Sequence, residues 1–321
     1  MQSIADDVGG APADSAGPAG TAPAGVPGGV RGEAGAAPGV PGVAHGDAWP
    51  AIPGLQLSVR WTGPPPGSGL GDFCDVFARP AGRWGIVVGA AWADGPVRPA
   101  GGPPVSESVS AAVTTARETA RAARRPSAVL AAVNRAALDA PPAGPLLLTA
   151  SYATVLPTRA GALLRICTAG DQVGLIRRAR GAVAPAGRAG APLGLRTDPR
   201  LRDARLVLRP GDSLLLVTES VIEALAGSAC PRNQPGWSQP GSERLREILA
   251  GLDGATAARS ADTILRAVRD AVGGRLDLPT IAVVLKVPRR RRGSGVHSGG
   301  WPGSGRRAVA SRGPGGPRDA G

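Results

Sequence analysis

A chain of 321 residues has room for one large domain or two small ones. Its 49 Gly and 33 Pro make up about a quarter of it, close to the level of low-complexity sequence, and they gather at the two ends, so one globular unit is expected between two tails. The formal net charge is +13, and the three cysteines lie far apart without a Cys-x-x-Cys pair, which argues against a disulfide framework or a zinc site.

The charge is unevenly spread. Residues 1–48 hold one Arg against five acidic residues, whereas residues 289–321 hold eight Arg against one Asp. Lys286 is the lone lysine, and arginine in place of lysine beside abundant Ala, Gly and Pro reads as codon bias in a GC-rich genome. The high pI is therefore weak evidence for a nucleic-acid partner. Acidic residues follow Met1 where a signal peptide needs cations, and no run of about 18 apolar residues is present, so a cytoplasmic protein without a membrane span is expected.

Residues 1–48 are short runs of Gly, Ala, Pro and Val, too poor in bulky side chains to offset the entropy of ordering, and are expected to be disordered. Order is expected from Trp49. Leu55, Leu57, Val59 and Trp61 alternate with other residues at the period of a half-buried strand. After the break at Pro64-Pro65-Pro66-Gly67-Ser68-Gly69, strands are predicted over Asp72–Ala78 and Trp84–Val88, turned by Pro80-Ala81-Gly82. From Ser106 the period becomes helical, with Val109, Ala112, Val113, Ala116, Ala120 and Ala123 on one face. Pro126 should end this helix, and Ser127 can cap the next, whose stripe is Val129, Leu130, Val133 and Ala137.

Further strands are predicted over Leu146–Val155, Ala162–Thr168 and Gly174–Arg178. Arg205–Leu208 and Ser213–Val217 follow, joined by the turn Arg209-Pro210-Gly211-Asp212. Residues 226–241 read as a loop, and helices are predicted over Ser242–Ala250 and Ser260–Val272, with Gly251 and Gly273 as C-caps. A last strand, Ile281–Val287, closes a domain of residues 49–288, and a basic tail, 289–321, is expected to be disordered. Strands, two helices, many strands, two helices and a strand describe an α+β layered domain.

Chemistry gathers at Gly69-Leu70-Gly71-Asp72-Phe73-Cys74-Asp75-Val76-Phe77. Two carboxylates, Asp72 and Asp75, follow a Gly-rich turn at a strand start, a place that suits a hard cation. Gly67 to Gly71 has no following helix or Lys-Ser/Thr and is not a phosphate loop. His45 and His297 lie in the tails, which removes histidine from any catalytic triad. Cys74 reads as a small core residue rather than a nucleophile. The run Arg289 to Arg292 carries no interleaved aromatic residue and reads as solvated tail.

Gly71-Asp72-Phe73-Cys74-Asp75-Val76 resembles the Gly-Asp-Phe-Tyr-Asp-Val signature of bacterial metal-dependent (PPM-type) serine/threonine phosphatases of the SpoIIE type. Three more landmarks are similar and in the same order: Ile52 to Trp61, Gly82 to Gly89, and Gly190-Ala191-Pro192-Leu193-Gly194-Leu195 against a Gly-Thr-Pro-Leu-Gly-Leu turn. The resemblance implies a four-layer αββα sandwich, two antiparallel sheets flanked by helix pairs. It also implies two manganese or magnesium ions that activate water, and a phosphoserine or phosphothreonine protein as substrate, in the family an anti-sigma-factor antagonist.

By the same resemblance, Asp72 occupies one ligand position with Asp75 as its companion. The aspartate shared by both metals is replaced by Ala90, the aspartate of Thr-Asp-Gly by Glu219 in Thr218-Glu219-Ser220, and an Asp-Asp pair by Pro279-Thr280. The histidine of an Ala-Gly-His motif is Asp171. With the ligands at 90 and 280 lost, a catalytically impaired enzyme, a pseudophosphatase, is expected. Two alternatives stand beside it. One is an active manganese- or magnesium-dependent phosphatase in which Asp94, Asp171 or Asp277 replaces a lost ligand. The other is an interaction protein that binds an acidic partner or nucleic acid through its basic tail.

Overall fold

The computed structural model describes residues 49–63, 71–93, 105–139, 146–171, 174–227, 239–274, 276 and 279–289. The first half runs β1 (Gln56–Thr62), β2 (Asp72–Arg79), β3 (Arg83–Ala93), α1 (Val105–Ala122), α2 (Pro126–Leu138), β4 (Leu146–Thr158) and β5 (Gly161–Ala169). The second runs β6 (Leu175–Arg177), β7 (Val183–Pro185), β8 (Ala204–Leu208), β9 (Ser213–Val217), α3 (Glu219–Ala226), α4 (Gln239–Ala250), α5 (Ala257–Ala271) and β10 (Thr280–Lys286). Among the described residues no helix is long and apolar enough to cross a membrane. The predicted tails, 1–48 and 289–321, lie outside the described residues except for Arg289, as do Asp94, Cys230 and Asp277.

The strands form two antiparallel five-stranded sheets: sheet I in the order β1-β10-β9-β6-β7 and sheet II in the order β2-β3-β4-β5-β8. Side-chain alternation sorts the apolar residues into three layers. Cys74, Val76, Ile86, Val88, Leu164, Ile166, Ile281, Val283 and Leu285 meet between the sheets. Phe73, Phe77, Val87, Leu148 and Tyr152 face the other way and pack against Val109, Val113, Leu130 and Val133 of α1 and α2. Leu175, Leu215, Ala282 and Val284 face Val221, Leu245, Ile264, Leu265 and Val268 of α3, α4 and α5. The domain is an α+β αββα sandwich.

Several boundaries and joins differ from the sequence-based expectation. Pro126 opens α2 at its first turn, where a missing N–H costs nothing, and the N-cap is Arg125. Ser127 lies inside that helix; its N–H donates to Asp203 Oδ1 at 2.7 Å. The turn at Arg209 to Asp212 joins β8 of sheet II to β9 of sheet I, so it crosses between sheets and makes no hairpin. Asp212 holds it by accepting from the N–H of Ala179 and of Arg209 and from Arg178. The second helical layer has three helices, because residues 219–226 form α3. Gly273 follows the end of α5 with φ of 69°, as a C-cap glycine does.

Candidate functional site

One end of the sandwich collects the motif positions. In sheet II, Asp72 of β2 pairs with Ala90 of β3, and Ala90 pairs with Thr149 of β4. Alternation points all three toward the space between the sheets, in register with Cys74, Val88 and Ala153. Gly170 continues the same row just after β5, packed on the Thr149 side chain, and Asp171 follows it close enough to Glu219 to raise that residue's pKa. From sheet I, β9 ends at Val217 and hands the chain to Thr218, Glu219 and Ser220 at the start of α3, while Thr280 opens β10 beside them.

The join is hydrogen-bonded. Ser220 Oγ donates toward Asp72 Oδ2 at 3.0 Å and lies 3.2 Å from the Pro279 carbonyl. Thr218 Oγ1 lies 2.8 Å from Ser220 Oγ and accepts from the Ile281 N–H at 3.0 Å. The residues that end β9, open β10 and open β2 thus form one polar knot. Thr149 Oγ1, in contrast, is buried without a hydrogen-bond partner among the described residues.

Burial dominates the electrostatics. Asp72 is 5% exposed, and its pKa is pushed up from 3.8 to about 7, chiefly by desolvation, against the lowering effect of hydrogen bonds from Thr218 and Ser220. The negative charges of Glu223 and Glu219 raise it further. Glu219 stands at the exposed rim, yet partial desolvation, then Glu223 and Asp171, raise its pKa too.

Asp75 is elsewhere. Three residues along a strand reverse the face, so Asp75 points from Asp72's row into the helix layer. There Arg117 of α1 grips it with two donors, Nε to Oδ2 and Nη2 to Oδ1, the latter at 2.7 Å, while its guanidinium stacks 5.4 Å from the Phe77 ring centre. Desolvation raises the Asp75 pKa, and Arg117 opposes the rise. The expected pairing of Asp72 with Asp75 as neighbouring ligands is not what the fold makes; Asp75 anchors α1 to sheet II. Cys74 packs between the sheets and burial pushes its thiol pKa up, as for a core residue.

The structure therefore brings together Asp72, Ala90, Glu219 and Thr280, with Asp171 within electrostatic reach of Glu219, and separates Asp75 from them. A pair of manganese or magnesium ions needs a converging set of oxygen ligands. Among the described residues no three of His, Cys, Asp and Glu stand close enough to hold an ion. The described residues do not fit the two-ion group. Three residues of the arrangement escaped the sequence reading: Arg117, Thr149 and the hydroxyl role of Ser220. An arginine in a helix of small residues, or a threonine in Leu147-Leu148-Thr149, signals nothing without its neighbour across the fold.

Comparison with known proteins agrees with the fold. The model of the family described as Stage II sporulation protein E (SpoIIE) matches residues 102–278. The fold is similar to the RsbU and RsbW domains of a Mycobacterium tuberculosis protein, at 20% identity and a TM-score of 0.55 over 74% of this chain and 62% of that one. It is similar to the PP2C phosphatase domain with a regulatory-domain fragment of SpoIIE from Bacillus subtilis, at 13% identity and a TM-score of 0.53 over 72% and 63%. The SiaA PP2C domain of Pseudomonas aeruginosa matches at 19% identity and a TM-score of 0.53 over 72% and 85%. The chain spans 62% and 63% of the first two solved chains. No curated protein matches the chain. With a family match over more than half its length, two antiparallel sheets between helical layers and the motif positions gathered at one end, the chain belongs to the SpoIIE family of PP2C-like phosphatase domains.

Proposed function

We propose that this domain serves partner-switching signalling as a SpoIIE-type fold that engages a phosphoserine or phosphothreonine protein, an anti-sigma-factor antagonist by family resemblance, and turns it over very slowly or not at all. The row Asp72–Ala90–Thr149 carries the reading. A methyl group stands beside Asp72 where the resemblance implies the shared aspartate. The buried Thr149 hydroxyl next to it has no partner among the described residues, which fits a row that has lost a polar neighbour. Asp72 is tied to Ser220, and with its pKa near 7 it is as much a neutral hydrogen-bond partner as a cation ligand. The metals' chemistry in the family would be to activate water; the described side chains here hold a carboxyl group, two hydroxyls and a carbonyl in a fixed knot.

A second reading rests on the mutual repulsion of Asp72, Glu219, Glu223 and Asp171, which a cation would relieve. In that case the phosphatase is active with a rearranged site. One experiment separates the two: phosphate release from a phosphoserine peptide by the full chain with manganese, with Asp72→Ala as control. The expected outcome is release no faster than the control, and no thermal shift on adding manganese. Restoring Asp at positions 90, 219 and 280 together should create a manganese-dependent thermal shift. Release that needs both manganese and Asp72 would overturn the proposal in favour of the rearranged site.

A further inference from the structure

At the other end of the sandwich lies a groove of about 820 Å³ lined by Arg79, Arg83, Arg121, Arg124, Arg165 and Arg205, with no carboxylate and no aromatic residue in its lining. β2 starts at Asp72 and ends at Arg79, so at ~3.3 Å per residue the groove stands about 23 Å from the Asp72 row. It forms where sheet II runs beyond the cover of α1 and α2.

Two features of the strand register set this surface apart. Arg79 lies directly opposite Arg83, and Arg165 directly opposite Arg205. Like charges so placed destabilise a sheet. Arg79 is committed to the fold, since its guanidinium donates to the carbonyls of Ala120 and Ala123 at the end of α1 and to Thr154 Oγ1. Among the described residues, Arg83, Arg121, Arg124, Arg165 and Arg205 have no carboxylate partner. Two positions along the same strands from Arg165 and Arg205, Leu163 and Val207 also face each other across β5 and β8, and they are 48% and 47% exposed.

We infer that this groove is a docking site for an acidic segment of a partner protein, whose carboxylates pair with the arginines and whose aliphatic side chains cover Leu163 and Val207. Arginine forks bind carboxylates in pairs. The exposed aliphatic pair and the absence of any aromatic stacking platform in the lining favour a polypeptide over a nucleic acid. The inference does not depend on the state of the Asp72 site.

The test uses the full chain and a labelled synthetic peptide of glutamate, leucine and alanine, followed by fluorescence anisotropy at low and physiological salt. Binding should weaken with salt and fall by roughly tenfold or more in Arg165→Ala/Arg205→Ala and in Leu163→Ser/Val207→Ser. Arg266→Ala, at an exposed position on α5, should leave it unchanged. Arg205→Glu turns the Arg165 pair attractive, so this variant should melt higher than the parent while losing the peptide, which separates lost docking from misfolding. Undiminished peptide affinity in both double variants would overturn the inference, as would a single-stranded oligonucleotide that binds more tightly than the peptide at equal salt.

Discussion

Asp72 and Asp75 are three positions apart in one strand, and the fold gives them opposite tasks. Asp72 is a buried acid with a serine hydroxyl for a partner, and its folded pKa of about 7 exceeds the unfolded value of 3.8. The folded state therefore binds the proton more tightly. The stabilisation from Asp72 is complete below about pH 4, declines as pH rises, and is gone above about pH 7. Asp72→Asn, measured in chelator by thermal melting from pH 4 to 8, should gain on the parent as pH rises. The gain has an upper limit of about 4 kcal/mol for about three pKa units. A stability difference that stays flat with pH would show that Asp72 is ionised throughout. Asp75 depends on its cation: Arg117→Met leaves a fully buried carboxylate without its two donors and should cost about 3 kcal/mol by chemical denaturation. Asp75→Asn should leave any response to manganese as it is in the parent, since Asp75 lies in the helix layer.

Among the elements, β2 and β3 are placed by backbone contacts as much as by side chains. Gly71 enters β2 with φ of 89°, and a Cβ there would stand 2.0 Å from the Ala91 carbonyl oxygen, backbone that cannot yield. The Ala91 N–H donates back to Gly71 O at 2.9 Å, so the two strands are clasped at the point where Asp72 begins. Gly71→Ala should cost about 3 kcal/mol and disturb the Asp72–Ser220 contact, read as a lowered thermal midpoint with a flattened pH dependence. The helices were legible to different degrees. α5 announces itself through Ile264, Leu265 and Val268, although it opens at Ala257 behind the capping Thr256, one turn ahead of the expected Ser260, whereas α3 is only 8 residues long and too short for its period to declare itself. β7 is a strand of 3 residues that, among the described residues, pairs only with β6, and its Val183-Ala184-Pro185 has no pattern of its own.

At the scale of the molecule, the three apolar layers close among residues 49–289. Residues 49–289 expressed alone should unfold cooperatively at the midpoint of the longer chain, by circular dichroism. A midpoint lowered by more than a few degrees would mean that the flanking segments contribute to the core. The two ends of the sandwich carry opposite charge: carboxylates at the Asp72 end, and at the Arg79 end arginines that have no carboxylate partner among the described residues. Helices α1 and α2 span the distance, with Asp75–Arg117 in the middle and Arg79 on the last carbonyls of α1.

The sequence by itself determined the layer order, most strand positions and the family. Apolar period follows from local geometry, and each landmark, such as Gly71-Asp72 or Pro192-Leu193-Gly194, is contained in a few consecutive residues. By resemblance it also supplied the expectation that Ala90, Glu219 and Thr280 are altered positions. The tertiary structure decided which residues meet. Strand alternation separated Asp72 from Asp75, and the crossing from β8 to β9 placed adjacent segments in different sheets. The face-to-face packing of the two sheets set Ser220 against Asp72, 148 residues away in the chain. Those pairings depend on register between distant strands, a property no single stretch of sequence contains.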